Sequence, residues 1–94
     1  MAFNITYHPE VRDDLAPLNE KVKQRLRRAI ESRLLVEPQS YGQPLRGTLK
    51  GYWKLRVGDY RIVFKVIEND IKVLGICHRK DVYEKIQRRK EEVT

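Results

Sequence analysis

Six side chains in the second half of the chain are of types that act on phosphate: Lys54, Arg56, Arg61, His78, Arg79 and Tyr83. Such cations can cleave RNA without a metal, because RNA carries its own nucleophile in the ribose 2′-hydroxyl. The protein has to orient that hydroxyl, take its proton and stabilise the charged phosphorane. A placed proton acceptor contributes about 10²–10⁴-fold, and fixed cations on the developing oxyanion add to it. Lys54, Arg56, Arg61, His78 and Arg79 suit the stabilising task. For the proton acceptor, His78 and Tyr83 both stand open: a phenol titrates near about 10, and neighbouring cations favour its phenolate. Binding of DNA or RNA without cleavage would use the same residues, with Tyr52 or Tyr83 stacking on a base. Composition does not separate the two. No metal and no cofactor is expected. His8 and His78 are far apart, carboxylates do not converge on the cationic stretch, and LRGTLKG is not a Walker loop.

A hairpin must hold these residues. Gly51–Lys65, GYWKLRVGDYRIVFK, alternates apolar and polar positions on either side of Gly58-Asp59, a glycine-first pair that fits a type II′ turn. This turn sets Val57 opposite Tyr60, Arg56 opposite Arg61, Leu55 opposite Ile62 and Lys54 opposite Val63. One face then carries Trp53, Leu55, Val57, Tyr60, Ile62 and Phe64 as a core wall. The other carries Tyr52, Lys54, Arg56, Arg61, Val63 and Lys65. Like charges directly opposed weaken a sheet, so Arg56 and Arg61 call for a polyanion; the alternative is a solvated face with its cations splayed apart. Asn69-Asp70 reads as the next turn, which sets Gly75 opposite Phe64 and brings His78 opposite Arg61 on the cationic face.

The flanking elements follow from periodicity. Phe3–His8 alternates as a first strand, stopped by Pro9. Val11, Leu15 and Leu18 trace a short helix interrupted by Pro17, and Asn19 is an N-cap for an amphipathic helix over Glu20–Leu35. Residues 37–44 carry turn chemistry. Lys72–His78 is nearly continuous in apolar residues, as a central strand is. Asp81 with Glu84 opens a last helix, with Val82, Ile86 and the stem of Arg89 facing inward. Its end, IQRRKEEVT, reads as too charged to be ordered. The expected class is α+β: a small antiparallel sheet with an N-terminal helical hairpin and a C-terminal helix, β-α-α-β-β-β-α, in a single domain spanning 1–94.

Twenty Lys+Arg against thirteen Asp+Glu give a net charge of +7. In so small a chain that favours a nucleic acid or an acidic protein partner. The single cysteine, Cys77, excludes an internal disulfide and a cysteine-based zinc site; within VLGIC it reads as a buried strand thiol. Apolar runs are too short to span a bilayer, and MAFNITYHPEV has no leader pattern. A cytoplasmic protein with no membrane partner is expected.

Three stretches, Leu45-Arg46-Gly47, YWKLRVGDYRIVFKV at Tyr52–Val66 and ICHRKDVYEK at Ile76–Lys85, resemble the RelE/ParE toxin superfamily of bacterial and archaeal toxin–antitoxin systems. The resemblance covers nearly the whole chain and is closer to the RelE branch than to the ParE branch. It implies a toxin neutralised by a co-encoded acidic antitoxin. RelE-type toxins enter the ribosomal A site and cut the mRNA there by 2′-hydroxyl attack. Matched motif to motif, Lys54 falls on the second lysine of a Lys-x-Lys strand, holding the phosphate or stabilising the transition state. Arg61 falls on a phosphate-binding arginine, Arg79 on an arginine acting as general acid or clamp, and Tyr83 on the tyrosine that serves as general base. His78 stands where related toxins often carry histidine, a share in proton transfer. Tyr52, Arg46, Arg56 and Lys65 are the expected RNA contacts. Tyr52 departs from the pattern by replacing the first lysine, and the segment before Tyr83 is short. A ParE-like toxin acting on DNA gyrase without RNA cleavage is the alternative, followed by a basic nucleic-acid-binding module.

Overall fold

The computed structural model describes residues 3–93. β1 (Asn4–Tyr7) leads into a short α1 (Val11–Leu15), which ends before Pro17. Asn19 caps α2 (Glu20–Ala29), its side-chain oxygen accepting from the Val22 N–H at 2.9 Å, and α2 continues through a π-helical turn, Ile30–Leu34. The stretch read as a loop holds more structure than its turn residues announce: α3 (Pro38–Tyr41), a two-residue β2 (Gln43–Pro44) and a 3-10 turn at Gly47–Leu49. Then come β3 (Trp53–Val57), β4 (Tyr60–Ile67), β5 (Asp70–His78) and α4 (Val82–Val93). The strand order is β1-β5-β4-β3-β2, with β1 parallel to β5 at one edge and the remaining pairs antiparallel. This is the α+β class expected from the sequence.

The first hairpin has the expected register. Gly58 takes a φ of +60° while Asp59 keeps a negative one, the type II′ signature, and Arg56 stands opposite Arg61. The second turn differs. Glu68 and Asn69 form it, with Glu68 rather than Asn69 at positive φ (56°), so that Ile67 faces Asp70. A bulge between Val63 and Phe64 then shifts the pairing once more. Gly75 therefore faces Val63, Cys77 faces Arg61, and His78 faces Tyr60, not Arg61.

The sheet is covered on both faces. On one, Leu55, Val57, Ile62, Phe64, Ile71, Val73 and Ile76 pack against Val11, Leu26, Ala29 and Leu34 of the helical hairpin. On the other, α4 lays Val82 and Ile86 over Val63, Leu74 and Cys77, and Leu45 and Leu49 close the side. Val63, placed by alternation among the cations, is thus fully buried. Gly75 lets the helix approach this closely: a Cβ there would lie 2.6 Å from Ile86 Cδ1 and 2.7 Å from Arg89 Nη1.

A buried ion pair fastens the two layers. Arg89 donates to both carboxylate oxygens of Asp14, at 2.7 and 2.9 Å, and to the Leu74 carbonyl at 3.0 Å. Asp14 also accepts from the Ile76 N–H at 3.0 Å and meets the Lys85 ammonium at 3.0 Å, while Arg89 Nε lies 3.3 Å from Glu10. With this anchor the charged end of the chain, expected to be disordered, continues as helix through Val93.

Candidate nucleic-acid interface

The hairpin tip organises the cations. Arg61 would face unrelieved repulsion from Arg56 across the ladder, but its Nη1 folds back and donates to the Gly58 and Tyr60 carbonyls, both at 2.9 Å. Arg79, just past β5, is held on the same turn. Its N–H donates to the Asp59 carbonyl at 2.8 Å, and its Nε lies 3.9 Å from the Asp59 carboxylate. The hairpin tip thus offers two carbonyls to the Arg61 guanidinium and a carboxylate to that of Arg79. Partial burial, then the nearby Arg56 and Arg79, push the Arg61 guanidinium below its ordinary value; arginine still stays charged.

Tyr83 lies in the first turn of α4, half exposed, and no hydrogen bond among the described residues ties up its hydroxyl. Helical spacing puts Tyr83, Gln87 and Lys90 on one flank of α4. That flank faces the Gly47–Leu49 turn: the Thr48 hydroxyl donates to the Gln87 side chain, and the Lys90 ammonium donates to the Thr48 carbonyl. The opposite flank, with Lys85 and Arg89, turns to Asp14. Tyr83 consequently lies on the flank that faces the Gly47–Leu49 turn, which leads into β3. It lines an open hollow with Thr48, Glu84, Gln87, Arg88 and Glu91. Lys54 is half-buried on β3, and Arg46 is exposed just before the 3-10 turn.

Two expected residues stand differently. His78 takes the other face of the sheet, in line with Ile76, its ring edge-on to Tyr60 with centroids 5.8 Å apart. Its Nδ1 accepts from the Lys80 N–H at 3.2 Å. The bulge is the physical reason: one extra residue in β5 reverses which side the strand's end presents. Tyr52 is packed against the second core, with the ammoniums of Lys65 and Lys90 lying 5.5 and 5.8 Å from its ring centre. Stacking of a base on Tyr52 requires one of these lysines to leave. In place of a missing cation, the ring gathers two.

Sequence reasoning missed Lys90 and Asp59. Lys90 lay in the tail set aside as disordered, and Asp59 counted only as a turn residue. The i, i+4, i+7 spacing of Tyr83, Gln87 and Lys90 was the available signal for the first.

A β-α-α-β-β-β-α core with arginines gathered at a hairpin tip and an exposed tyrosine on the covering helix makes a small basic α+β domain. The family model described as ParE toxin of type II toxin–antitoxin system, parDE, matches residues 5–83. Among curated proteins, Toxin RelE of Mycobacterium tuberculosis is 32% identical over 72 residues, covering 74% of each chain. Toxin RelG of the same organism is 27% identical over 85 residues, covering 88% of this chain and 98% of that one. Among solved structures, the RelBE2 toxin–antitoxin complex from M. tuberculosis superposes with a TM-score of 0.77 at 25% identity, covering 84% of this chain and all of that one. Free Escherichia coli toxin RelE superposes at 0.70 with 23% identity, covering 95% and 98%, a likeness of fold. The chain belongs to the ParE toxin family of type II toxin–antitoxin systems, within the RelE/ParE superfamily.

Proposed function

We propose that this toxin is a metal-independent endoribonuclease that cuts mRNA in the ribosomal A site and so halts translation. The observation that carries this reading is the gathering of Arg61 and Arg79 at one hairpin tip, the first side chain held by the Gly58 and Tyr60 carbonyls and the second by Asp59. In the proposed step Tyr83 accepts the 2′-hydroxyl proton and the 2′-oxygen attacks phosphorus. Lys54 and Arg61 hold the non-bridging oxygens, and Arg79 stabilises or protonates the leaving 5′-oxygen. The products are a 2′,3′-cyclic phosphate and a 5′-hydroxyl end. Tyr52, through the lysines on its ring, Arg46, Arg56 and Lys65 bind flanking phosphates. The site's location on the far side of the sheet from His78 favours Tyr83 as the proton acceptor.

The partner that restrains the toxin is an acidic antitoxin. Several structural neighbours are themselves toxin–antitoxin complexes, including RelBE2 and the archaeal RelB–RelE pairs. A net charge of +7 gives such a partner its complement.

The test is primer extension on a translated message. Codon-dependent cuts are expected, with naked RNA cut poorly. Tyr83→Phe and Arg61→Ala should each lower cleavage by about 10²-fold or more at unchanged thermal midpoint. Unchanged cutting in both variants would sink these roles. A gyrase-directed toxin is the second reading, favoured by the ParE family match. Inhibition of gyrase supercoiling without mRNA cuts would establish it instead.

A further inference from the structure

Arginines also gather away from the face beneath α4. A groove lies between the α2–π-turn segment and the end of β3, lined by Arg25, Arg28, Ser32, Arg33, Arg56 and Gly58, with only Ala29 and Val57 as apolar neighbours. Helical spacing explains the alignment, since positions 25, 28, 29, 32 and 33 recur at three and four residues on one side. β2 pairs with β3 only at Trp53 and Lys54, so the edge beyond Lys54 faces this groove without a strand neighbour. Arg33 Nη1 reaches the Arg56 carbonyl there at 3.5 Å. Arg25 lies face-on to the turn: a Cβ at Gly58 would sit 3.0, 3.2 and 3.3 Å from its Nη2, Nη1 and Cζ. Among the described residues, no carboxylate forms a salt bridge with Arg25, Arg28, Arg33 or Arg56.

We infer that this groove is a second RNA-phosphate site, which holds the backbone of a paired RNA segment and shares only Arg56 with the cationic face beneath α4. Guanidinium forks match phosphate oxygens two at a time and stay charged at every accessible pH. An acidic protein segment would bring apolar anchors that need a pocket, and Ala29 and Val57 offer it almost none. Paired RNA is recognised by shape and phosphate contacts rather than base edges, which suits a groove of arginines with one hydroxyl and no free aromatic ring. The inference stands apart from the cleavage proposal, because it concerns binding to a segment that is not cut.

The experiment is fluorescence anisotropy with a labelled RNA duplex of about 16 base pairs, titrated between about 50 and 200 mM salt. The double variant Arg25→Ala/Arg28→Ala should reduce the slope of log K against log salt by about 2 and weaken binding about tenfold at the low-salt end. Arg12→Ala/Arg27→Ala removes the same charge from the groove on the other side of α2 and should keep the slope. Both pairs are exposed, so all thermal midpoints should match the parent. Equal loss in the two double variants, or no loss in either, overturns the site. Displacement of the duplex by polyglutamate more readily than by unlabelled RNA overturns it in favour of an acidic protein ligand. Ribosome-dependent cutting is read separately, so failure of one proposal leaves the other intact.

Discussion

Arg61 carries a like charge directly across the ladder and a second one beyond the strand end, yet it is held in a defined position. Carbonyls of the turn next to it supply the acceptors that a carboxylate would otherwise provide. That leaves its charge available to a ligand rather than spent on a neighbouring acid. Cys77, its partner on β5, shows the opposite logic. Burial beneath α4 pushes the thiol up to about 11, and the nearby Lys85 offsets this only in part. Native protein should react with iodoacetamide at least about 10²-fold more slowly than a free thiol; labelling in urea should restore the ordinary rate. Fast labelling of the native form would show that the helix does not cover the strand as described. At this scale the sequence was legible wherever alternation and turn chemistry agreed, as at Arg56, Arg61 and Val57. It misled at His78, because a bulge is invisible to periodicity, and at Val63, whose place among cations hid a second core.

Between elements, the Asp14–Arg89 pair is the main fastening of α4 to the rest. Breaking a buried pair by removing one partner leaves an uncompensated charge, so Arg89→Ala should cost about 3–5 kcal/mol in urea unfolding. Burial raises the Asp14 carboxyl, but Arg89, the Ile76 N–H and Lys85 together outweigh it and hold it below the usual carboxylate range. A carboxyl lowered in the folded state stabilises fully above its unfolded value, about 4, and loses that contribution as pH falls through the folded value. The urea midpoint of the parent should therefore drop on acidification below about 4, and Asp14→Asn should show a shallower drop. An identical pH profile for both would place the stabilisation elsewhere. Element types were readable from the chain: the capped α2, the first hairpin and the last helix all carry local signals. The fastening was not, since Asp14 and Arg89 are 75 residues apart and nothing local joins them.

Over the whole molecule, positive charge is divided rather than spread. One set surrounds the sheet face beside α4, another lines the groove behind the hairpin tip, and Gly58-Asp59 lies between them. The excess of cations was plain in the composition, while its division required the fold. Likewise the parallel edge could not be read: β1 alternates as an edge strand does, but nothing in Asn4–Tyr7 says that Asp70–Val73 is its neighbour. That pairing has a kinetic side. The side-chain contact of Asn4 with Asp70 spans 66 residues, and the Arg89–Asp14 bond spans 75. Neither end of the chain can be closed by local contacts, and loops of such length make folding slow relative to helical domains of equal size. During synthesis, the hairpin of Arg56 and Arg61 can form early, whereas α4 follows β5 in the chain. Until α4 emerges, Val63, Leu74 and Cys77 lack their cover, so a hairpin made early still leaves one apolar face of its sheet open.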